Sequence, residues 1–208
     1  MNSTLYYIHD PMCSWCWGYR PVWNALQQHL PVAIRIEYVA GGLAPDSDQP
    51  MPKEMQNAIQ GHWHNIKAKL GTEFNFDFWR ENTPRRSTYM ACRAVIAAKL
   101  QGFEKQMLEA IQCGYYLRAL NPSDIEVLNQ LAGELCALKP ELDLAKFSAD
   151  LLALDTQKEF ERQLQLARAL TIQGFPSLVL EVKGQRYSIA IDYSDYQNTL
   201  AQIVEYAA

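Results

Sequence analysis

Strand-forming texture is confined to the two ends of this 208-residue chain, and helical periodicity fills the long stretch between them. Near the start, "TLYYIHD" is a β-prone apolar run closed by Asp10-Pro11, which predicts a strand over about Thr4 to Ile8. In "VAIRIEYVAGG", Ile34, Ile36 and Tyr38 alternate with Arg35, Glu37 and Val39 ahead of Gly41-Gly42, which predicts a second strand. Between them Val22, Leu26 and Leu30 recur every four residues, so the segment after Cys13 reads as a helix to about Leu30. Pro21 lies inside that helix and is expected to kink it or shift the start of its regular part. Near the other end "SLVLEV", "KGQ" and "RYSIAI" spell strand, turn and strand, and Tyr193 to Tyr206 spells a last helix.

From Pro50 to about Leu170 one helical pattern follows another: Glu54 to Leu70, Ser87 to Leu100, Phe103 to Leu117, Pro122 to Leu135, Leu142 to Leu154 and Glu159 to Leu170. Ser87, and Pro122 after Asn121, are the expected helix starts. The order predicts an α/β fold in which residues 1–49 and 171–208 form one unit and residues 50–170 a helical domain inserted between its halves. No repeat, low-complexity tract or linker interrupts it.

Composition excludes several classes of function. The chain is 49% hydrophobic and 20% charged with a net charge of −4, and no basic block would attract nucleic acid or an acidic membrane. No apolar run reaches the ~18 residues of a membrane span. The segment "MNSTLYYIHDP" lacks the cationic start, apolar core and cleavage site of a secretory signal, so the expected location is cytoplasmic. Five cysteines, an odd number in a chain of this size, do not describe a disulfide-stapled scaffold.

Two of those cysteines are adjacent in an informative place. Cys13 and Cys16 form a C-x-x-C where the first strand breaks into the first helix, the context in which a thiol pair does redox chemistry. Amides and dipole at a helix N-terminus favour an anion, which makes Cys13 the nucleophile. Cys16, one turn on, faces the core as the resolving thiol. Ser14-Trp15 supplies no cation beside them, so the pair is expected to be less oxidising than the strongest periplasmic oxidants. The competing readings are a zinc site, for which His62 and His64 are the only clustered histidines, and a pair of inert core thiols. No metal is expected.

Other candidates are single residues. Trp15 and Trp17 can form an apolar rim for substrate near Cys13, although Trp17 suits a core position equally well. Arg85 and Arg86 can hold an anionic group such as a carboxylate, against the plainer reading of a solvated pair before a helix. Asp10 either carries a proton for the thiols or shapes the turn at Pro11. Cys92, Cys113 and Cys136 lie in apolar helical patterns and read as buried thiols rather than a second redox pair.

Taken together, "DPMCSWCWG", "GFPS" and the inserted helical block resemble the DsbA-like thiol-disulfide oxidoreductases, especially the cytoplasmic FrnE-like branch. The resemblance implies a thioredoxin-like fold, a nucleophilic Cys13, a resolving Cys16 and a cis-proline at Pro176. Phe175, the residue before that proline, would then offer its backbone to an extended substrate, and it is bulkier than the Thr or Val often found there. The activity implied is thiol-disulfide oxidation, reduction or isomerisation on protein or peptide thiols and disulfides. Glutathione is a further candidate partner, and no metal or organic cofactor is needed. The alternative is a glutathione-dependent transferase or isomerase similar to the kappa-class glutathione transferases and 2-hydroxychromene-2-carboxylate isomerases. Those commonly carry serine at the first cysteine position, and "ENTPRR" is faintly similar to one of their segments. Retention of both cysteines favours dithiol chemistry.

Overall fold

Alternation in the first strand sorts its side chains onto two buried faces. In the computed structural model, which describes residues 3–170 and 172–207, β1 (Ser3–His9) sends Leu5 and Tyr7 to one side and Tyr6 and Ile8 to the other. The expected domain limits at residues 1, 171 and 208 lie outside the described residues. A strand buried on both faces must sit inside a sheet with helices on each side. Here it pairs parallel with β2 (Ile34–Ala40), reached through α1 (Ser14–His29), and antiparallel with β3 (Ser177–Val182).

The helical stretch between β2 and β3 comprises α2 (Lys53–Leu70), the one-turn α3 (Phe78–Glu81), α4 (Tyr89–Lys99), α5 (Glu104–Arg118), α6 (Ile125–Leu138), α7 (Leu144–Leu151) and α8 (Leu154–Ala169). The chain ends in β4 (Gln185–Ile189) and α9 (Tyr196–Ala207). Strand order is β2-β1-β3-β4, and the β3–β4 hairpin turns through Lys183 and Gly184, both at positive φ. Positive φ at both central residues matches the right-handed twist of a two-residue hairpin.

One face of the sheet packs Leu5, Tyr7, Leu178 and Leu180 against Trp23 and Leu26 of α1 and Ile203 of α9. The other packs Tyr6, Ile8, Val39 and Val179 against Ala167 and Leu170 at the end of α8. The insert joins the first of these cores: Trp17 of α1 stacks on Tyr116 of α5, with ring centroids 5.4 Å apart, and donates its indole N–H to the Glu73 carbonyl at 2.9 Å. Apart from Arg93, the buried residues of α4 are Ala91, Cys92, Ala94, Val95, Ile96, Ala97 and Ala98. Such small side chains let neighbouring helices approach closely on several sides, which makes α4 the centre of the insert.

Four boundaries differ from the sequence expectation for identifiable reasons. The helix expected from Ser87 begins at Tyr89, because the Thr88 hydroxyl donates to Asp10 Oδ2 at 2.7 Å and accepts from the Ala44 amide at 3.1 Å. The helix expected from Pro122 begins at Ile125, because Arg85 grips Asp124 and the Ser123 carbonyl while Ser123 Oγ donates to the Ser87 carbonyl. The helix expected over Leu142 to Leu154 stops at Leu151, and α8 starts five residues before its expected Glu159. Phe147 and Leu151 bury α7 within the insert, whereas Phe160, Gln163 and Ala167 of α8 are buried toward the sheet and α4.

Candidate redox site

The site begins with a turn at the end of β1. Asp10 is fully buried, and Oδ1 accepts the Met12 amide at 2.8 Å while Oδ2 accepts the Leu43 amide at 2.7 Å, the Thr88 hydroxyl and, more weakly at 3.6 Å, the Cys92 thiol. One carboxylate thus ties together the loop before α1, the loop after β2 and the start of α4. Burial pushes its carboxyl up from the ordinary value, and these donors pull it back. Of the two roles open for Asp10, the geometry is that of the turn-shaping one.

Held by that turn, Cys13 is the N-cap of α1, and no side chain caps the helix in its place. The positive end of the helix is therefore presented to the Cys13 sulfur. Cys13 is 6% exposed and donates from Sγ to the Phe175 carbonyl at 3.4 Å, while Cys16 is wholly buried behind it. Both are free thiols. Burial pushes the Cys16 thiol well above its usual range, and the neighbouring Cys13 pushes it further.

Phe175–Pro176 is a cis peptide bond and enters β3 opposite the cysteine pair. The Phe175 ring lies directly on Gly41: a Cβ there would overlap it. Gly41 also donates its amide to the His9 carbonyl at 2.7 Å, so the end of β2 is pinned beside the site.

Cys13 opens onto a cavity of about 470 Å³. Trp15 lines it and packs edge-on against Tyr193 at 5.2 Å, whereas Trp17 is core. Three parts of the insert supply much of the remaining wall: Met55, Ile59 and His62 from one face of α2, Arg85 to Thr88 ahead of α4, and Tyr115 of α5, with Leu43 and Phe175 beside them. His62, which nothing in the sequence places near Cys13, reaches the same cavity, while His64 points elsewhere and stacks on Phe76 at 4.3 Å. No group of three or more His, Cys, Asp or Glu able to hold a metal ion occurs among the described residues. The four- and three-residue spacing of Met55, Ile59 and His62 is the signal that could have assigned that wall; read from sequence it looks like any amphipathic helix.

His9 escaped the sequence reading altogether. It is 1% exposed and stacked on Tyr7 at 5.3 Å, Nδ1 has no partner among the described residues, and burial lowers its pKa to about 3. The remaining cysteines divide. Cys92 is buried against Asp10, Cys113 is half-buried and accepts from Arg20 at 3.4 Å, and Cys136 is half-buried and donates to the Leu142 carbonyl at 3.1 Å.

A C-x-x-C at a helix start, set against a cis-proline ahead of β3 on this sheet, defines the class: a thioredoxin-like fold of the DsbA-like oxidoreductase type with a helical insert. A family model described as thioredoxin matches residues 6–199, and the chain belongs to that family. A candidate protein disulfide isomerase from Nitrosomonas europaea superposes with a TM-score of 0.83 at 27% identity, covering 99% of this chain and 97% of the other. The cytosolic disulfide reductase DsbM from Pseudomonas aeruginosa gives 0.74 at 24% identity over 98% and 95% of the two chains, and has also been solved with GSH. The ClpXP adapter protein SpxH of Bacillus subtilis is 24% identical over 96% of this chain and 67% of its own length. No helix among the described residues is long and apolar enough to cross a membrane.

Proposed function

We propose that this protein reduces or isomerises disulfides through the Cys13–Cys16 pair, acting in the cytoplasm on protein or peptide substrates. The observation that carries the reading is the position of Cys13, capping α1, hydrogen-bonded to the carbonyl before a cis-proline and open to a cavity while Cys16 is sealed behind it. The Cys13 thiolate attacks one sulfur of a substrate disulfide: a Cys13–S bond forms, the substrate S–S bond breaks, and one substrate thiolate leaves. Cys16 then gives up its proton and attacks the Cys13 sulfur, releasing the second substrate thiol and leaving a Cys13–Cys16 disulfide. Two electrons pass to the substrate, and a thiol reductant returns them.

The environment of Cys16 favours this order. Burial and Cys13 both keep its proton on, and forming the mixed disulfide removes the charge that Cys13 contributes. Phe175 and Trp15 flank the attacking sulfur as substrate-contacting residues, and Pro176 holds the Phe175 carbonyl toward it. The cytoplasmic location is supported by the likeness to the cytosolic reductase DsbM, and glutathione as a thiol partner by the DsbM structure with GSH. We also propose that residues 50–170 form the inserted helical unit, whose last helix α8 packs on both α4 and the sheet.

Cys16→Ser tests the reading. With a disulfide-bonded protein or peptide, this variant should accumulate a mixed disulfide at Cys13, seen by mass spectrometry and reversed by dithiothreitol. Full multiple-turnover activity in Cys16→Ser would remove its resolving role and favour the glutathione-dependent transferase, which needs only the first sulfur.

A further inference from the structure

Arg85 and Arg86 are identical neighbours in sequence with opposite fates in the fold. Both line the Cys13 cavity, but Arg85 is neutralised: its guanidinium is bound to the Asp124 carboxylate and the Ser123 carbonyl. Arg86, half-buried, has neither a hydrogen-bond partner nor a carboxylate within 4.0 Å among the described residues, and it lines the cavity onto which Cys13 opens. Among the described residues no Asp or Glu lines that cavity, nor the adjoining one of about 340 Å³ across Phe175, where Arg168 stands. Other clefts of the molecule are lined by Glu73, Glu109 or Asp46, and the chain as a whole is acidic at −4. Asp10 lies buried behind the wall with its oxygens bonded to Met12, Leu43 and Thr88, so the unpaired charge that reaches the Cys13 cavity is that of Arg86.

A guanidinium brings five N–H donors in a planar fork that matches a carboxylate, and leaving it partly desolvated without an anion is costly. Resting on the thiol-disulfide reading above, we infer that Arg86 is the carboxylate receptor of the Cys13 cleft and selects thiols and disulfides that carry a carboxylate close to the reacting sulfur. Met55 and Ile59, on the α2 wall of the same cavity, offer apolar contact. Two sources can supply this chemistry: a small peptide thiol with free carboxylates, or an acidic segment beside a cystine in a protein.

The test uses the full chain, pre-reduced and freed of reductant, mixed with excess disulfide, with the rate followed by tryptophan fluorescence. End-blocked disulfide peptides differ only in Glu, Gln or Lys beside the half-cystine, and oxidised glutathione is compared with its carboxyl esters. The wild-type rate constants should rank Glu above Gln above Lys, with about tenfold between the extremes. Arg86→Gln should bring that ratio to about one, Arg86→Lys should keep part of it, and Arg86→Glu should invert it. Raising the salt should shrink the wild-type ratio. Discrimination on glutathione alone assigns the small thiol, and discrimination on blocked peptides alone assigns the acidic segment; either supports Arg86 as the receptor. A ratio that survives Arg86→Gln at unchanged melting temperature, or no discrimination on either arm, overturns it. If wild type exchanges with no disulfide, the redox reading itself falls, a result separable from loss of charge preference alone.

Discussion

His9 sits in the core with no partner for Nδ1 among the described residues, and that gives the molecule a pH sensitivity unrelated to its thiols. Burial holds its pKa at about 3, against about 6.5 in an unfolded chain, so the unfolded state binds the extra proton between those values. Stability from this group is complete above pH 6.5 and is lost as pH falls toward 3; between pH 7.5 and pH 5 the loss is ~2 kcal/mol. His9→Phe keeps an aromatic ring beside Tyr7 and should flatten that part of the profile in urea titrations at the two pH values. Asp10, whose carboxyl is raised, is common to both proteins and drops out of the comparison. Parallel pH profiles for wild type and variant would contradict the assignment. At this scale the sequence showed what spacing can encode. Cys13 and Cys16 three apart, and Phe175 before a proline at a strand entrance, stand out by spacing, and the fold brings Cys13 Sγ to 3.4 Å from the Phe175 carbonyl oxygen. It could not separate Arg85 from Arg86, because the difference is made by Asp124, 39 residues on. Nor could it mark His9, whose isolation is a property of the packed core alone.

Elements meet at the site through one close approach, that of the Phe175 loop ahead of β3 to the end of β2. Gly41→Ala puts a methyl group into the Phe175 ring, and the ring is half-buried and cannot leave freely. The expected cost is ~1–3 kcal/mol, together with a slower Cys13 reaction, because the Phe175 carbonyl moves with the ring. Adding Phe175→Leu to Gly41→Ala should recover part of the stability, a coupling readable in a double-mutant cycle by chemical denaturation. Strictly additive losses would show that the two residues do not press on one another. Both β-ends and most helices were legible here because their apolar periods are set by which face is buried. The starts of α4 and α6 were not, since long-range hydrogen bonds to Asp10, Ala44 and Arg85 hold Thr88, Ser123 and Asp124 out of the helices that propensity would extend.

For the whole molecule, the cleft exists only because the two parts of the fold share a core. Its walls come from the β1–α1 turn, α2, the segment before α4, α5 and the loop before β3, and the Trp17–Tyr116 stack and the Trp17–Glu73 bond lock the sheet unit to the insert behind it. That arrangement puts Trp15 at the cavity wall and Trp17 one turn into the same helix as the thiol pair, so tryptophan emission should report the redox state of the cysteines. On the proposed function, Cys13 and Cys16 form a reversible two-electron couple. Its most direct test is an equilibrium titration against glutathione redox buffers, read by tryptophan fluorescence and checked by thiol trapping, with Cys13→Ser as control. A single two-electron transition between roughly −270 and −120 mV, absent from the control, is the expected result. If no reversible Cys13–Cys16 disulfide forms at any buffer ratio, the pair is not a redox couple and the account is wrong.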